Sequence, residues 1–442
     1  MSLTEKPVLF DRKKLWNLIW PLVIEQLLTV LVGMVDVLMV AAVGEAAMSG
    51  VSLVDSISNL IIQVLFALTA GGTVVCAQHI GSGNEKKAGK TTAQLIFLSL
   101  AMTLVIMILF LIKGDGLLHF LFGKIDHDVM TNASTYLLYM AISYPFLALY
   151  HSGAAAFRAV GNTKISMLCS LCMNLFNIWG NAFCIFLLKM GVEGVAIPTL
   201  IARIFGAIFI LWILQHKKQP ASISSLSEIK PDGSIIRQIL NIGIPNGLES
   251  GIFQFGKLSL QSLVSTLGTA SIAGFAAASN LVTYFYLPGN ALGAAMLTVV
   301  GQCYGAGQKD EAKRYAKILI VINYAMLAVI CSIMIIGRSF FVGMYHLSPQ
   351  ASVLGIGLLL SHAIAMIIWP IGFLTPYYFR AIGKARFTMI VSITTMWLFR
   401  IGLAYVFICI LGMNVLGIWY AMYVDWIVRV IVYIIAFQKE KG

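Results

Sequence analysis

The chain has 442 residues, 59% hydrophobic and only 11% charged, with a mean hydropathy of +0.90. No soluble domain covers itself with so little polar surface, so the composition excludes one and points to a polytopic membrane protein. The net charge of +12 does not mark a nucleic-acid binder, because Lys and Arg sit at the ends of apolar runs rather than in basic stretches interleaved with aromatics.

Apolar runs between polar punctuation predict twelve helices. The first six cover about 15–44, 50–76, 91–112, 131–157, 165–189 and 194–214. The long polar stretch QHKKQPASISSLSEIKPDG makes 215–234 a cytoplasmic linker. Six more helices follow, over about 235–266, 271–300, 315–336, 351–378, 387–411 and 416–437. The expected fold is an all-α polytopic membrane protein with twelve transmembrane helices in two six-helix bundles, 1–214 and 235–442. The first run follows basic residues as a signal peptide would, but it contains Glu25 and Asp36 and lacks a clear cleavage site. It reads as a retained first helix.

The halves are copies. A shift of 224 lays Pro21 on Pro245, Glu25 on Glu249, Gly44 on Gly268, Gly50 on Gly274, and Gln78, Gly81 and Gly83 on Gln302, Gly305 and Gly307. An even number of helices per copy starts both on the same side of the membrane, so the repeats are parallel. Of 30 Lys and Arg, 22 fall on the side of the termini and four on the other, which makes a cell-membrane protein with both termini cytoplasmic. Seven cysteines, all in or beside apolar runs, form no disulfide framework; the Cys169/Cys172 pair lies in an apolar helix without a redox or metal context.

Polar residues inside spans are costly, and so are candidates for function. Glu25, Thr29, Gly33 and Asp36 fall along one face of the first helix, about three turns end to end. Asn174, Asn177 and Asn181 share a face of the fifth. By helical rise, Asp36, Asp55, Asn177, Asn181 and Thr199 reach comparable depth and make an oxygen-rich layer suited to Na+ or a proton. Asn and Thr also tie membrane helices together, at about 0.6 kcal/mol each, and that alternative stands beside the functional one. In the seventh helix Ser250, Gln254, Lys257 and Gln261 form a polar stripe that should face a cavity; Lys257 has Glu249, Asp36 or an acidic substrate group as candidate partners. Asp425 and Arg429 are spaced to pair with each other, and Arg400 has no evident partner in the sequence. His79 and His151 read as interfacial. Glycines 81 and 83 follow a helix rather than a strand, so they make no phosphate loop, and no HExxH, acidic metal cluster or GxSxG occurs. An enzyme is disfavoured, although a membrane enzyme remains the competing class.

The motifs VDVLMVAAVG at 35–44, AQHIGSGNEKKA at 77–88 with its echo GQCYGAGQKDEA at 301–312, and FRAVGNTK at 157–164 with its echo FRAIGKAR at 379–386 resemble the multidrug and toxic compound extrusion (MATE) family over essentially the whole chain. The resemblance implies a secondary active exporter of drugs and other amphipathic organic compounds, antiported against H+ or Na+ by alternating access. It matches Asp36 to the first-helix acidic residue and Asn177 and Thr199 to cation-binding positions; with Asp55 and Asn181 of the same polar layer these are the expected ion-coupling residues, and Asp36, Asn177, Asn181 and Thr199 a candidate Na+ site. Substrate contacts are expected at Asn174, Gln254, Lys257, Gln261 and Asn280. Asn181 stands where many members have a second Asp, Phe253 replaces an acidic residue of the seventh helix, and Trp369 one of the tenth. Coupling is therefore expected in the first bundle, and Lys257 argues against an exclusively cationic substrate range. A lipid-linked saccharide flippase of the same superfamily is the alternative; major-facilitator transporters lack a matching signature here. The expected partners are small cationic or amphipathic molecules and membrane lipids, with no nucleic acid, no cofactor beyond the coupling ion, and a monomeric state.

Overall fold

In a computed structural model, residues 9–123, 125–216, 219–222 and 230–440 are described. Lys6, Lys124, Lys217, Lys218 and Lys441, used above to orient the chain, lie outside them. Twelve helical spans are present among the described residues. The first six are α1 (Arg12–Val43), α2 (Glu45–Gly81), α3 (Glu85–Phe122), α4 (His127–Val160), α5 (Thr163–Leu187) and α6 (Glu193–His216). The rest are α7 (Gly233–Ser265), α8 (Thr269–Gly305), α9 (Lys309–Gly343), α10 (Pro349–Ala365 with Trp369–Ala381), α11 (Ala385–Ile410) and α12 (Leu416–Lys439).

Nine of these are long and apolar enough to cross a membrane, ten with α10, whose halves meet at 57°. The exceptions have physical reasons. α4 is enclosed by α2, α3 and α6, so its Ser, Tyr and Ala contact protein instead of lipid. α7 carries Asn241, Asn246, Glu249, Ser250, Gln254, Lys257 and Gln261 along its length. The third span was expected to stop near 112; instead the chain kinks at Lys113 (φ −129°) and continues to Phe122. The charge of Lys113 marks a bend rather than an end, because Leu118 beyond it is fully buried. The α10 break lies just before Pro370, and a short 3-10 turn, Thr283–Tyr286, interrupts α8 before Pro288. Pro21, Pro145, Pro198, Pro245 and Pro376 sit inside continuous helix.

The chain divides into two compact units, Met1–Gly243 and Ile244–Gly442. The division falls inside α7, whose first turns belong to the first unit: a Cβ on Gly71 of α2 would sit 2.5 Å from the Ile239 carbonyl oxygen. Gln94 of α3 holds the chain ahead of α7, donating to Lys230 O (2.8 Å) and accepting from Asp232 N (3.0 Å).

Each unit repeats the same helix crossing. In the first, a Cβ on Gly50 (α2) would come 2.8 Å from Ala133 N of α4; in the second, one on Gly274 (α8) would come 2.7 Å from Ala351 O of α10. Close backbone approach through small residues is the usual substitute for hydrophobic driving force inside a membrane. Each unit also has a π-turn late in its fifth helix, Phe183–Leu187 and Val406–Ile410, closed by Leu188 N to Phe183 O and Leu411 N to Val406 O. Behind them a Cβ on Gly194 or Gly417 would come 3.1 Å from the Cβ of Met190 or Met413. These matches fix the register of the later helices at 223 residues.

Candidate functional site

The first unit gathers the polar layer. α1 supplies Asp36, α2 Asp55, α5 Asn174, Asn177 and Asn181, and α6 Thr199. Asn181 Nδ2 donates to Asp36 Oδ1 at 3.0 Å and to Asn177 Oδ1 at 3.3 Å. Asn177 Nδ2 donates to Thr199 Oγ1 at 2.9 Å, and that hydroxyl donates to Val195 O at 2.8 Å. The bonds run as one chain from the carboxylate of α1 to the backbone of α6. Its i, i+4 spacings on α5 put both amides on one face. Asn181 is fully buried, and its Oδ1 has no partner among the described residues, so that oxygen can accept from one donor or meet one cation.

A cavity of 310 Å³ opens beside this chain, lined by Asp36, Asp55, Asn174, Asn177, Thr199 and Arg203 among others. Asp55 accepts from Tyr136 Oη at 3.4 Å. Asn174, expected to contact substrate, donates to Ser170 Oγ at 3.4 Å and lines this same cavity. Arg203 was not singled out from the sequence beyond its position inside a span. It follows Thr199 by four residues and so shares its face of α6, the signal that could have found it. Its Nη1 donates to Ser143 Oγ at 2.6 Å, and among the described residues no carboxylate lies within ion-pairing distance of it. The cavity therefore holds two carboxylates and one guanidinium.

Midway along α1 the first unit forms an ion pair. Arg158 Nη1 lies 3.6 Å from Glu25 Oε1, and Ser166 Oγ donates to Glu25 Oε2 at 3.0 Å. The second unit repeats it: Arg380 Nη2 lies 2.8 Å from Glu249 Oε2, and Arg380 Nε donates to Thr388 Oγ1 at 3.4 Å. Arg158 and Arg380 belong to the echoed FRAVG and FRAIG motifs, so the duplication carried the pair with it. Glu249 is thereby committed, which removes it as the partner of Lys257.

In the second unit Asp425, fully buried, faces two cations. Arg429 Nη2 lies 3.1 Å from its Oδ1, the pairing expected from the i, i+4 spacing, and Arg400 Nε lies 3.2 Å from its Oδ2. The isolated pair expected from sequence is corrected to a triad, because a further π-segment in the middle of α11, Met396–Gly402, packs on α12 and brings Arg400 to the same carboxylate. Lys257 Nζ lies 5.3 Å from the centre of the Phe253 ring, as does Arg400 Cζ. Gln254 is half-buried and Gln261 exposed on the same stripe of α7, whereas Asn280 of α8 meets Tyr345. His151 packs on Phe66 and Tyr150, with ring centres 4.9 and 5.2 Å away. Among the described residues no group of three His, Cys, Asp or Glu could hold a metal.

Two spans of the chain, residues 21–183 and 245–406, match the family model described as MatE. The chain belongs to the MatE family. The two matched spans correspond to the two units, as a duplicated MATE transporter requires. This MATE chain is 26% identical over 429 residues to the uncharacterized transporter YisQ of Bacillus subtilis, covering 95% of this chain and 92% of that one. It is 24% identical over 439 residues to the probable multidrug resistance protein NorM of Thermotoga maritima, covering 97% and 93%. Its fold matches a crystal structure of MATE in the bent conformation with a TM-score of 0.89 at 22% identity, over 97% of this chain and 94% of that one. The MATE chain is a multi-pass membrane transporter of the multidrug efflux family and not an enzyme.

Proposed function

We propose that this MATE transporter exports small organic compounds from the cell, antiported against protons by alternating access, with Asp36 as the residue that exchanges proton for substrate. The observation that carries the reading is Asp36 itself: a half-buried carboxylate on the wall of a 310 Å³ cavity, fixed by one amide donor from Asn181. A charged carboxylate accepts that N–H. Once protonated, it becomes a donor, and the partnerless Oδ1 on the same amide is the acceptor it needs, reached by a turn of the side chain. Asn181 can thus serve both protonation states and pass the change through Asn177 and Thr199 to α6. Arg203 supplies a fixed positive charge to the same cavity, which opposes either cation at the carboxylates and so favours its release.

A Na+-coupled reading is favoured by one observation, the same unpartnered Asn181 Oδ1 close to the oxygens of Asp36, Asn177 and Thr199. Drug substrates are supported by the multidrug names of relatives such as NorM and MepA. The proposed substrate contacts are Asn174, Gln254, Lys257, Gln261 and Asn280. The transporter acts in the cell membrane with both termini cytoplasmic, as the basic-residue asymmetry supports. Proteoliposomes with H+ and Na+ gradients imposed separately test the reading. Efflux driven by the proton gradient alone is expected; efflux that needs Na+ at equal pH on both sides would replace the proton with Na+.

A further inference from the structure

We infer that the second unit contains an anion-binding subsite, formed by Arg400 and Lys257 above the Phe253 ring, that receives the negatively charged group of an amphipathic organic molecule. The inference rests on the export reading and adds a substrate class to it.

Charge is the first argument. Arg400, Arg429 and Lys257 share a single carboxylate, Asp425, because Glu249 is already held by Arg380. Arg429 makes two contacts to Asp425 and two longer ones to Ser392 Oγ and O at 3.4 Å, although its Nε has no partner among the described residues. Arg400 makes fewer. Its side chain is buried, and its Nε reaches Asp425 as an ion pair too poorly aligned to satisfy the N–H. Among the described residues its guanidinium has no protein acceptor other than Asp425. Lys257 has none at all among them; its ammonium rests over the ring of Phe253, one turn back on α7. A buried cation short of partners, as Arg400 is, is costly in a spanning helix, and the exposed Lys257 beside the same ring adds like-charge repulsion. An anion placed between them removes both costs.

Geometry is the second argument. A guanidinium offers a planar fork matched to carboxylate or phosphate oxygens, a lysine offers a point charge, and the Phe253 ring beside both offers an apolar face for the body of an amphipath. Packing sets the two cations side by side: the Met396 and Ile401 side chains of α11 fill the space a Cβ on Gly256 would take, so α7 and α11 pack closely beside both charges.

The duplication is the third argument. At the register fixed by the π-turns, Arg400 takes the place that Asn177 holds in the first unit, and at the register of the earlier helices Leu260 takes that of Asp36. Where the first unit presents carboxylates and amides, the second has lost the α1-type carboxylate and gained a guanidinium. That is the exchange expected when a cation site becomes an anion site.

The test uses a matched pair of xanthene dyes, anionic fluorescein and cationic rhodamine 6G, binding to the full-length transporter in phosphatidylcholine nanodiscs. Lys257→Gln is expected to weaken fluorescein about tenfold and leave rhodamine 6G unchanged or tighter. Arg400→Lys, which keeps the charge but loses the fork, should weaken fluorescein less. Adding phosphatidylglycerol to the discs identifies the source of the anion. Displacement of fluorescein from the parent but not from the remaining sites of Lys257→Gln assigns a lipid headgroup; no displacement assigns a free organic anion. Fluorescein affinity unmoved by Lys257→Gln, or both dyes weakened alike, would overturn the subsite. Asp36→Asn separates the two readings: it should bind fluorescein normally while losing gradient-driven export, so a failure of coupling leaves the subsite standing and the reverse.

Discussion

The two units share their crossings, π-turns and ion pairs, yet they differ in the charge they bury. In the first, Asp36 and Asp55 face a cavity with amides between the helices and Arg203 as the single cation. In the second, one buried Asp425 answers Arg400 and Arg429, with Lys257 nearby. Where the duplication kept the chemistry, as in Glu25–Arg158 and Glu249–Arg380, the pair ties the last turn of one helix to the middle of another in both halves. Where it changed the chemistry, Asp36 and Asn177 of the first unit stand where Leu260 and Arg400 stand in the second. The comparison therefore separates the ion pairs and crossings that both halves keep from the buried charges in which they differ.

Removing Asp425 should have the largest effect, because its carboxylate is the shared partner of two guanidinium groups. Asp425→Asn leaves Arg400 and Arg429 without a counter-charge and is expected to cost about 3–5 kcal/mol, read as a fall in melting temperature in detergent. A melting temperature within a degree or two of the parent would mean that the second unit does not depend on its triad.

Next comes Asp36→Asn, which keeps side-chain volume and removes the titratable charge. Gradient-driven efflux from vesicles should drop about a hundredfold, about 2.7 kcal/mol in coupling terms, with normal insertion and retained dye binding. Glu25→Gln is the control from the scaffold set and should lose only a few-fold. Equal losses in the two variants would erase the distinction between scaffold and site.

Gly50→Val and Gly274→Val probe the crossing both units share. Each pushes a side chain to within 3 Å of a neighbouring backbone atom. Both should destabilise by about 1–3 kcal/mol and by similar amounts, measured by thermal unfolding. A large inequality would show that one unit tolerates the strain by opening its crossing.

The smallest effect should come from Asn181→Asp, which gives the first unit a further carboxylate. Na+-dependent efflux is expected to rise a few-fold over the parent. No rise, with the fold intact, would assign Asn181 to helix association alone.

Much of the architecture is legible in the sequence. The apolar background makes each polar residue in a span conspicuous, and the helical period tells which of them share a face. Periodicity alone thus places Asn174, Asn177 and Asn181 together, and helical rise sets them at the depth of Asp36. The shift of 224 residues, visible in Pro21/Pro245 and Glu25/Glu249, shows the duplication directly. What the sequence cannot give is which faces of different helices meet. Arg158 reaches Glu25 and Arg380 reaches Glu249 across more than a hundred residues, and nothing local marks either pair. Arg400 meets Asp425, and Arg203 enters the cavity of Asp36 and Asp55, for the same reason: helix rotation and crossing, adjusted by kinks such as Lys113 and by π-turns, decide contact. Periodicity fixes the position of a side chain around its own helix; only packing between helices fixes what it faces, and in a membrane that choice sets which buried charges are paired and which remain for a ligand.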